Sequence, residues 1–155
     1  MFLSCSIHPP SNLIIMFNQV LEHISWLHIL VAALAYFALG SVWYSPVLFA
    51  KKWLQLINVD MTNPDAKKGM AAMFAGSFVL MFITSFGLAI LMQILPAIDA
   101  IGGIKLSLLI GICFSTTAVS INYIYTKKPL LLYVIDCGYH IVGITIAGAI
   151  LAAWH

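Results

Sequence analysis

The stretch "LLLYVIDCGYHIVGITIAGAILAAW", residues 130–154, decides the fold. It is long enough to cross a ~30 Å hydrocarbon layer as a helix, which needs about 20 apolar residues. Its only ionisable interruptions of note are Asp136 and His140, four residues apart. Three more runs of the same character lie upstream, at 24–44, 69–95 and 106–125. Inside lipid every backbone N–H and C=O must be satisfied within its own segment, so each run is expected to be a helix. The alternating 9–11-residue strands of an outer-membrane barrel are absent from the sequence.

Composition agrees. The chain is 63% hydrophobic and 8% charged, with mean hydropathy +1.04; a soluble domain averages about 25% charged residues and could not cover its surface with so few. The fold class is therefore all-α: a polytopic membrane protein, a four-transmembrane-helix bundle forming a single domain over 16–155. Residues 1–15, with "HPPSN" against helix and no basic start or cleavage site, are expected to be a disordered tail or to precede a true start at Met16.

The connections carry further information. "VLFAKKWLQLI", residues 47–57, puts Phe49, Trp53 and Leu56/Ile57 near one face and Lys51, Lys52 and Gln55 away from it, which predicts a short interfacial helix after the first span. In "TNPD", Asn63 is the expected N-cap and Pro64 the first residue of the second membrane helix. "LPAIDAIGGIK" and "TKKP" are turns. Six of the seven lysines (Lys51, Lys52, Lys67, Lys68, Lys127, Lys128) lie in the first and third connections, against Lys105 alone on the other side. The positive-inside rule makes the six-lysine side cytoplasmic. A bacterial inner membrane is the expected location, with both termini periplasmic and the lipid bilayer the main partner. Trp26, Trp43, Trp53 and Trp154 fall near span ends, as an aromatic belt would place them. The net charge of +2 is too small for nucleic-acid binding. Cys5, Cys113 and Cys137 have no ligand or disulfide spacing.

Two stripes run along the last two spans at helical spacing. One is Tyr133, Asp136, His140, Gly143 and Ala147; the other is Ser107, Gly111, Ser115, Ala118 and Asn122. Small residues in such stripes let membrane helices approach closely, and Gly111, Ser115, Gly143 and Ala147 are the packing candidates. Counting from Pro129 places Asn122 level with Asp136 and makes it the expected partner. Asp136 then lies roughly 9–10 Å inside the cytoplasmic helix end. In "WYSP", Trp43 and Tyr44 read as interface anchors, or Tyr44 and Ser45 line the mouth of a polar cavity. The hydroxyl of Tyr44 or Tyr36 could reach the cluster.

A buried ionisable group costs about 2.5–3.5 kcal/mol on insertion scales, whereas an interhelical hydrogen bond returns about 0.6–2 kcal/mol. That balance favours a functional pair, Asp136 and His140 sharing a proton or cation as a relay, over a clamp of Asp136, His140, Asn122 and a tyrosine that holds helices in register. A metal site would need two more ligands, and His8, His23, His28 and His155 lie at the outer end, so no metal or other cofactor is expected. Paired axial histidines for haem lie at different depths. No nucleophile–base–orienter set suggests an enzyme. The expected function is a small transporter or ion-conducting protein, oligomeric because four helices enclose little space, with its substrate open; the alternative is an accessory protein in which the cluster is a clamp.

Two stretches, "GSVWYSPVLFAKKW" (40–53) and "INYIYTKKPLLLYVIDCGYH" (121–140), resemble the domain of unknown function 1761 family of small bacterial inner-membrane proteins. The likeness rests on Trp43, Tyr44, Ser45, Pro46, Asn122, Tyr123, Asp136, Gly138, Tyr139 and His140, and runs from about Ile24 to Trp154. It implies a four-helix membrane fold, no established activity, and a first segment outside the shared region.

Overall fold

Four helices long and apolar enough to cross a membrane form the body of the protein: α2 (Trp26–Trp43), α4 (Met70–Ile94), a third span over 100–125, and α7 (Leu130–Ala153). The computed structural model describes residues 11–60, 68–95 and 99–154. Among these there is no strand. A further helix, α1 (Ser11–His23), precedes the first span, and the short α3 (Ala50–Ile57) follows it. The third span consists of α5 (Ala100–Ile110), a π-helical turn over Gly111–Ser115, and α6 (Thr116–Tyr125).

Span boundaries differ from the sequence expectation in two places. The third helix begins at Ala100, not Leu106, because Asp99 caps it: its Oδ1 accepts from the Gly102 N–H at 2.7 Å. Lys105 is thus inside a helix. The second membrane helix begins at Met70, after Gly69 in the left-handed region at φ 78°. Asn63 and Pro64 lie outside the described residues. Helix α1 takes in Ser11–Ile15 of the segment read as a tail or misplaced start; residues 1–10 are likewise outside the described set.

Helix α7 is the hub. It packs on α2, α4, α5, α6 and, at one end, α3. Its small residues make this feasible. A Cβ added at Gly143 would run into the Tyr36 ring of α2, and one at Gly148 would run into Ser107 of α5. Gly103 of α5 meets Ala152 in the same way, and a Cβ at Gly111 would lie 3.1 Å from the Ile141 Cα. Ala147 is wholly buried. Three of the predicted packing residues thus sit at tight or buried positions, but the pairing differs: Gly143 meets α2, not Ser115.

The π turn explains the difference. The Thr116 N–H bonds to the Gly111 carbonyl, five residues back, and the Thr116 hydroxyl joins it at 2.9 Å. One residue is thereby inserted into the helical count. Before the turn, Ser107 and Gly111 face α7 as predicted. After it, the face toward α7 passes to Thr116, Ser120 and Tyr123, one position beyond the predicted Ser115 and Asn122. Cys137 of α7 confirms the register: its thiol is 3.9 Å from the Thr116 carbonyl and 3.8 Å from the Ser120 hydroxyl. Ala118 is exposed.

Candidate functional site

At the lysine-rich end of the bundle, Asp136 collects three hydrogen bonds from three different elements. Its Oδ1 accepts from the Tyr44 hydroxyl just past α2 at 2.7 Å and from Trp53 Nε1 of α3 at 3.0 Å. Its Oδ2 accepts from the Tyr123 hydroxyl of α6 at 2.5 Å. Asp136 is only 7% exposed. Three donors converging on two oxygens are the bonding set of a carboxylate, which only accepts. Among the described residues no lysine or histidine forms an ion pair with it.

A chain reversal brings Trp53 inward. After Tyr44 the chain reverses on Ser45, whose carbonyl accepts from the Leu48 and Ala50 N–H groups at 3.1 Å each. Ser45 therefore acts through its backbone and does not line the cavity described below. The reversal lays α3 across the bundle end, and its sequence does the rest: Trp53, Leu54 and Ile57 turn in while Lys51, Lys52 and Gln55 stay exposed. The helix stops at Asn58, in the left-handed region at φ 57°, whose N–H returns to the carbonyls of Leu54 and Gln55. The expected interfacial helix is present, but Trp53 is a donor to the buried acid as well as an amphipathic anchor. Trp43 is similarly diverted from a simple belt role: its Nε1 donates to the Ile135 carbonyl at 3.1 Å. A Cβ on Gly138 would lie 3.3 Å from its ring. Trp26 and Trp154 remain exposed.

His140, one turn along α7, has its own partner. Its Nδ1 lies 2.6 Å from the Tyr36 hydroxyl. Asp136 and His140 do not bond to each other, so the directly shared proton expected of the pair is corrected: each side chain is held by a closer tyrosine. The predicted Asn122–Asp136 contact is corrected too, since the π turn hands that role to Tyr123. Asn122 instead lines the cavity beside the acid. Tyr133 packs edge-on against Tyr123, ring centroids 5.2 Å apart, and so supports the donor from outside. Tyr139 stands among Tyr36, Tyr44 and Trp43, with ring centroids 5.3–6.4 Å away. Its hydroxyl reaches the Tyr36 carbonyl at 3.4 Å. Sequence reasoning missed Tyr123 and Trp53 as donors; the aromatic residues of "INY" and "AKKW" were the available signal.

All of this borders a cavity of about 1540 Å³. Asp136, His140, Tyr36 and Tyr44 form part of one wall, α3 closes the end, and Phe74, Ser77, Leu80 and Thr84 of α4 face Phe114, Ser115, Val119 and Asn122 of the third span. Helix α4 packs on α2 and α7, and α6 packs on α7, so the cavity lies in the space between α4 and α6. Asn58 and Asp60, both exposed, line it beyond the end of α3. Among the described residues no group of three His, Cys, Asp or Glu side chains is placed to hold a metal ion.

Fold and site together define a multi-pass helical membrane protein with an acceptor carboxylate in the wall of a large, mostly apolar cavity. Residues 27–152 match the model of the family described as "Protein of unknown function (DUF1761)", and the chain belongs to that family. Comparison with curated proteins and with solved structures gave no match.

Proposed function

We propose that this protein is a small membrane carrier whose cavity takes up a cation, the proton included, with Asp136 as counter-charge and His140 as a second polar contact. The observation that carries the reading is the unneutralised carboxylate on the cavity wall. Its three partners are neutral donors and no lysine or histidine among the described residues pairs with it, so a cation that arrives from outside serves as its counter-charge. An ionisable group inside a membrane protein is a functional candidate by default. The cavity replaces the direct Asp–His relay: both side chains line it, and exchange between them runs through whatever occupies it. Catalysis is not part of the proposal: the cavity hydroxyls that meet a base, Tyr36 at His140 and Tyr44 and Tyr123 at Asp136, are read as that base's hydrogen-bond partners. The lysine bias supports placing the cavity end in the cytoplasm of a bacterial inner-membrane protein, with both termini across the membrane. Binding uses one chain, whereas passage to the sealed half calls for rearrangement within a homo-oligomer.

The second reading is a clamp, favoured by the fact that Asp136 alone joins the end of α2, α3, α6 and α7. Proteoliposomes loaded with a pH-sensitive dye separate the two. The carrier reading expects cation-driven proton movement in the wild type that is lost in Asp136→Asn. Equal flux in both proteins defeats it, and folded but fluxless wild type favours the clamp.

A further inference from the structure

Resting on that reading of the cavity, we infer that its cargo is a hydrophobic organic cation, of the alkyl- or aryl-ammonium or phosphonium class, entering sideways from the bilayer between α4 and α6. Size is the first reason. Ligand sites for drug-sized molecules run to about 300–1,000 Å³, and a volume of about 1540 Å³ would leave a bare proton or metal ion surrounded by unfilled apolar wall. Charge is the second. Among the described residues the carboxylates lining the cavity are Asp60 and Asp136, and no lysine lines it. Lys51 and Lys52 are exposed, on the far side of α3 from Trp53. An anionic headgroup would meet the Asp136 carboxylate with no lysine among the described lining residues.

Aromatic chemistry is the third reason. Tyr36, Tyr44, Trp53, Tyr123 and Tyr139 border the cavity around the acid. Ring faces attract weakly hydrated organic cations, most strongly when these are desolvated. Tyr44, Trp53 and Tyr123 already give their polar hydrogens to Asp136, which leaves their rings to meet a ligand. A cation without hydrogen-bond donors suits this arrangement, because the acid's acceptor sites are largely taken. Entry from the side is suggested by the packing: α4 and α6 stand apart, and Phe74 and Leu80 of α4 and Phe114 of the third span are exposed apolar cavity walls. An apolar cation dissolved in the bilayer therefore meets a wall of its own polarity.

Tetraphenylphosphonium and tetraphenylborate share shape and size and differ in the sign of charge, so they make the decisive pair. Equilibrium dialysis uses the full chain in phosphatidylcholine nanodiscs, with empty discs subtracted. Saturable binding of the phosphonium and none of the borate is expected. Asp136→Asn should weaken phosphonium binding by roughly 30-fold or more. Ser77→Trp, which fills the cavity from α4 without touching Asp136, should abolish it even if the Asp136 variant fails to fold. Equal binding of the borate, or wild-type phosphonium affinity in either folded variant, overturns the inference. Asp136-dependent proton flux without phosphonium binding overturns the cargo class and leaves the carrier reading standing. Phosphonium binding without flux does the reverse.

Discussion

The two halves of the bundle use α7 in opposite ways. Away from the lysine-rich end, Gly148 and Ala152 press against Ser107 and Gly103, and the helices close on each other. The pocket there, bordered by His28, Gln93 and Trp154, holds only about 210 Å³. Toward the lysine-rich end, α7 carries Asp136, Tyr139 and His140 where the other half carries glycine and alanine. These side chains bond to the end of α2, to α3 and to α6, and a cavity of about 1540 Å³ lies beside them where α4 and α6 stand apart. Close packing seals one half, and in the other a cavity opens beside the hydrogen-bonded cluster. One helix thus supplies both a close-packed seam and a cavity wall.

That contrast can be broken from either side. The largest effect is expected at the seam. Gly148→Leu must drive α5 from α7 and should cost about 3 kcal/mol, read as loss of the folded, monodisperse form on heating in detergent. The same change at Gly76, where an added Cβ meets nothing within 4 Å, should stay within about 0.5 kcal/mol. Equal sensitivity at both sites would remove the seam from the account.

Next comes the open half. Asp136→Ala strands three donors and should cost about 2 kcal/mol or more, while Asp136→Asn retains a carbonyl acceptor and should cost less. If the acid holds α3 in place, Trp53 emission shifts to the red in the alanine variant. An unchanged spectrum would mean that α3 is held by its apolar face alone. A finer test separates neighbours on α6: Tyr123→Phe should lose about 1 kcal/mol, and Asn122→Ala should lie within about 0.5 kcal/mol of wild type. The opposite order would restore the uninterrupted helix.

The smallest expected effect is the most specific. Deleting Phe114, an exposed residue of the π turn, should convert the turn to ordinary helix and leave Ser107, Gly111, Thr116, Ser120 and Tyr123 on one face. The deletion protein should fold and still show the Tyr123→Phe penalty.

These neighbours also show how much was readable from sequence. The spans were, because twenty apolar residues in lipid have one backbone solution, and the observed helices end within two residues of the expected runs except at Asp99, although the second begins at Met70 and not at Pro64. There the N-cap stood in plain view inside a segment read as a turn. The acid, the imidazole and the tyrosines of the site were also readable, since ionisable groups inside a span need partners. The particular partner was not. Asn122 was one residue off because the π turn leaves no compositional mark in "GICFS": a single extra residue in a helix is decided by how α5 and α6 each fit α7. Trp53 was missed for a related reason, since the reversal at Ser45 that aims it inward depends on tertiary contact. The cavity itself follows from α4 and α6 standing apart, which no periodicity encodes.

The lysine-rich half is open and the other half sealed, and two positions on the third span report on the difference. In a background with Cys5, Cys113 and Cys137 replaced, Ser115→Cys places a thiol on the cavity wall and Ser107→Cys places one in the seam against Gly148. A membrane-impermeant maleimide added from the side of the lysine-rich loops should label the first rapidly and the second hardly at all, with tetraphenylphosphonium slowing the first. Labelling of both at the same rate, or of the Ser107 position alone, would contradict the account.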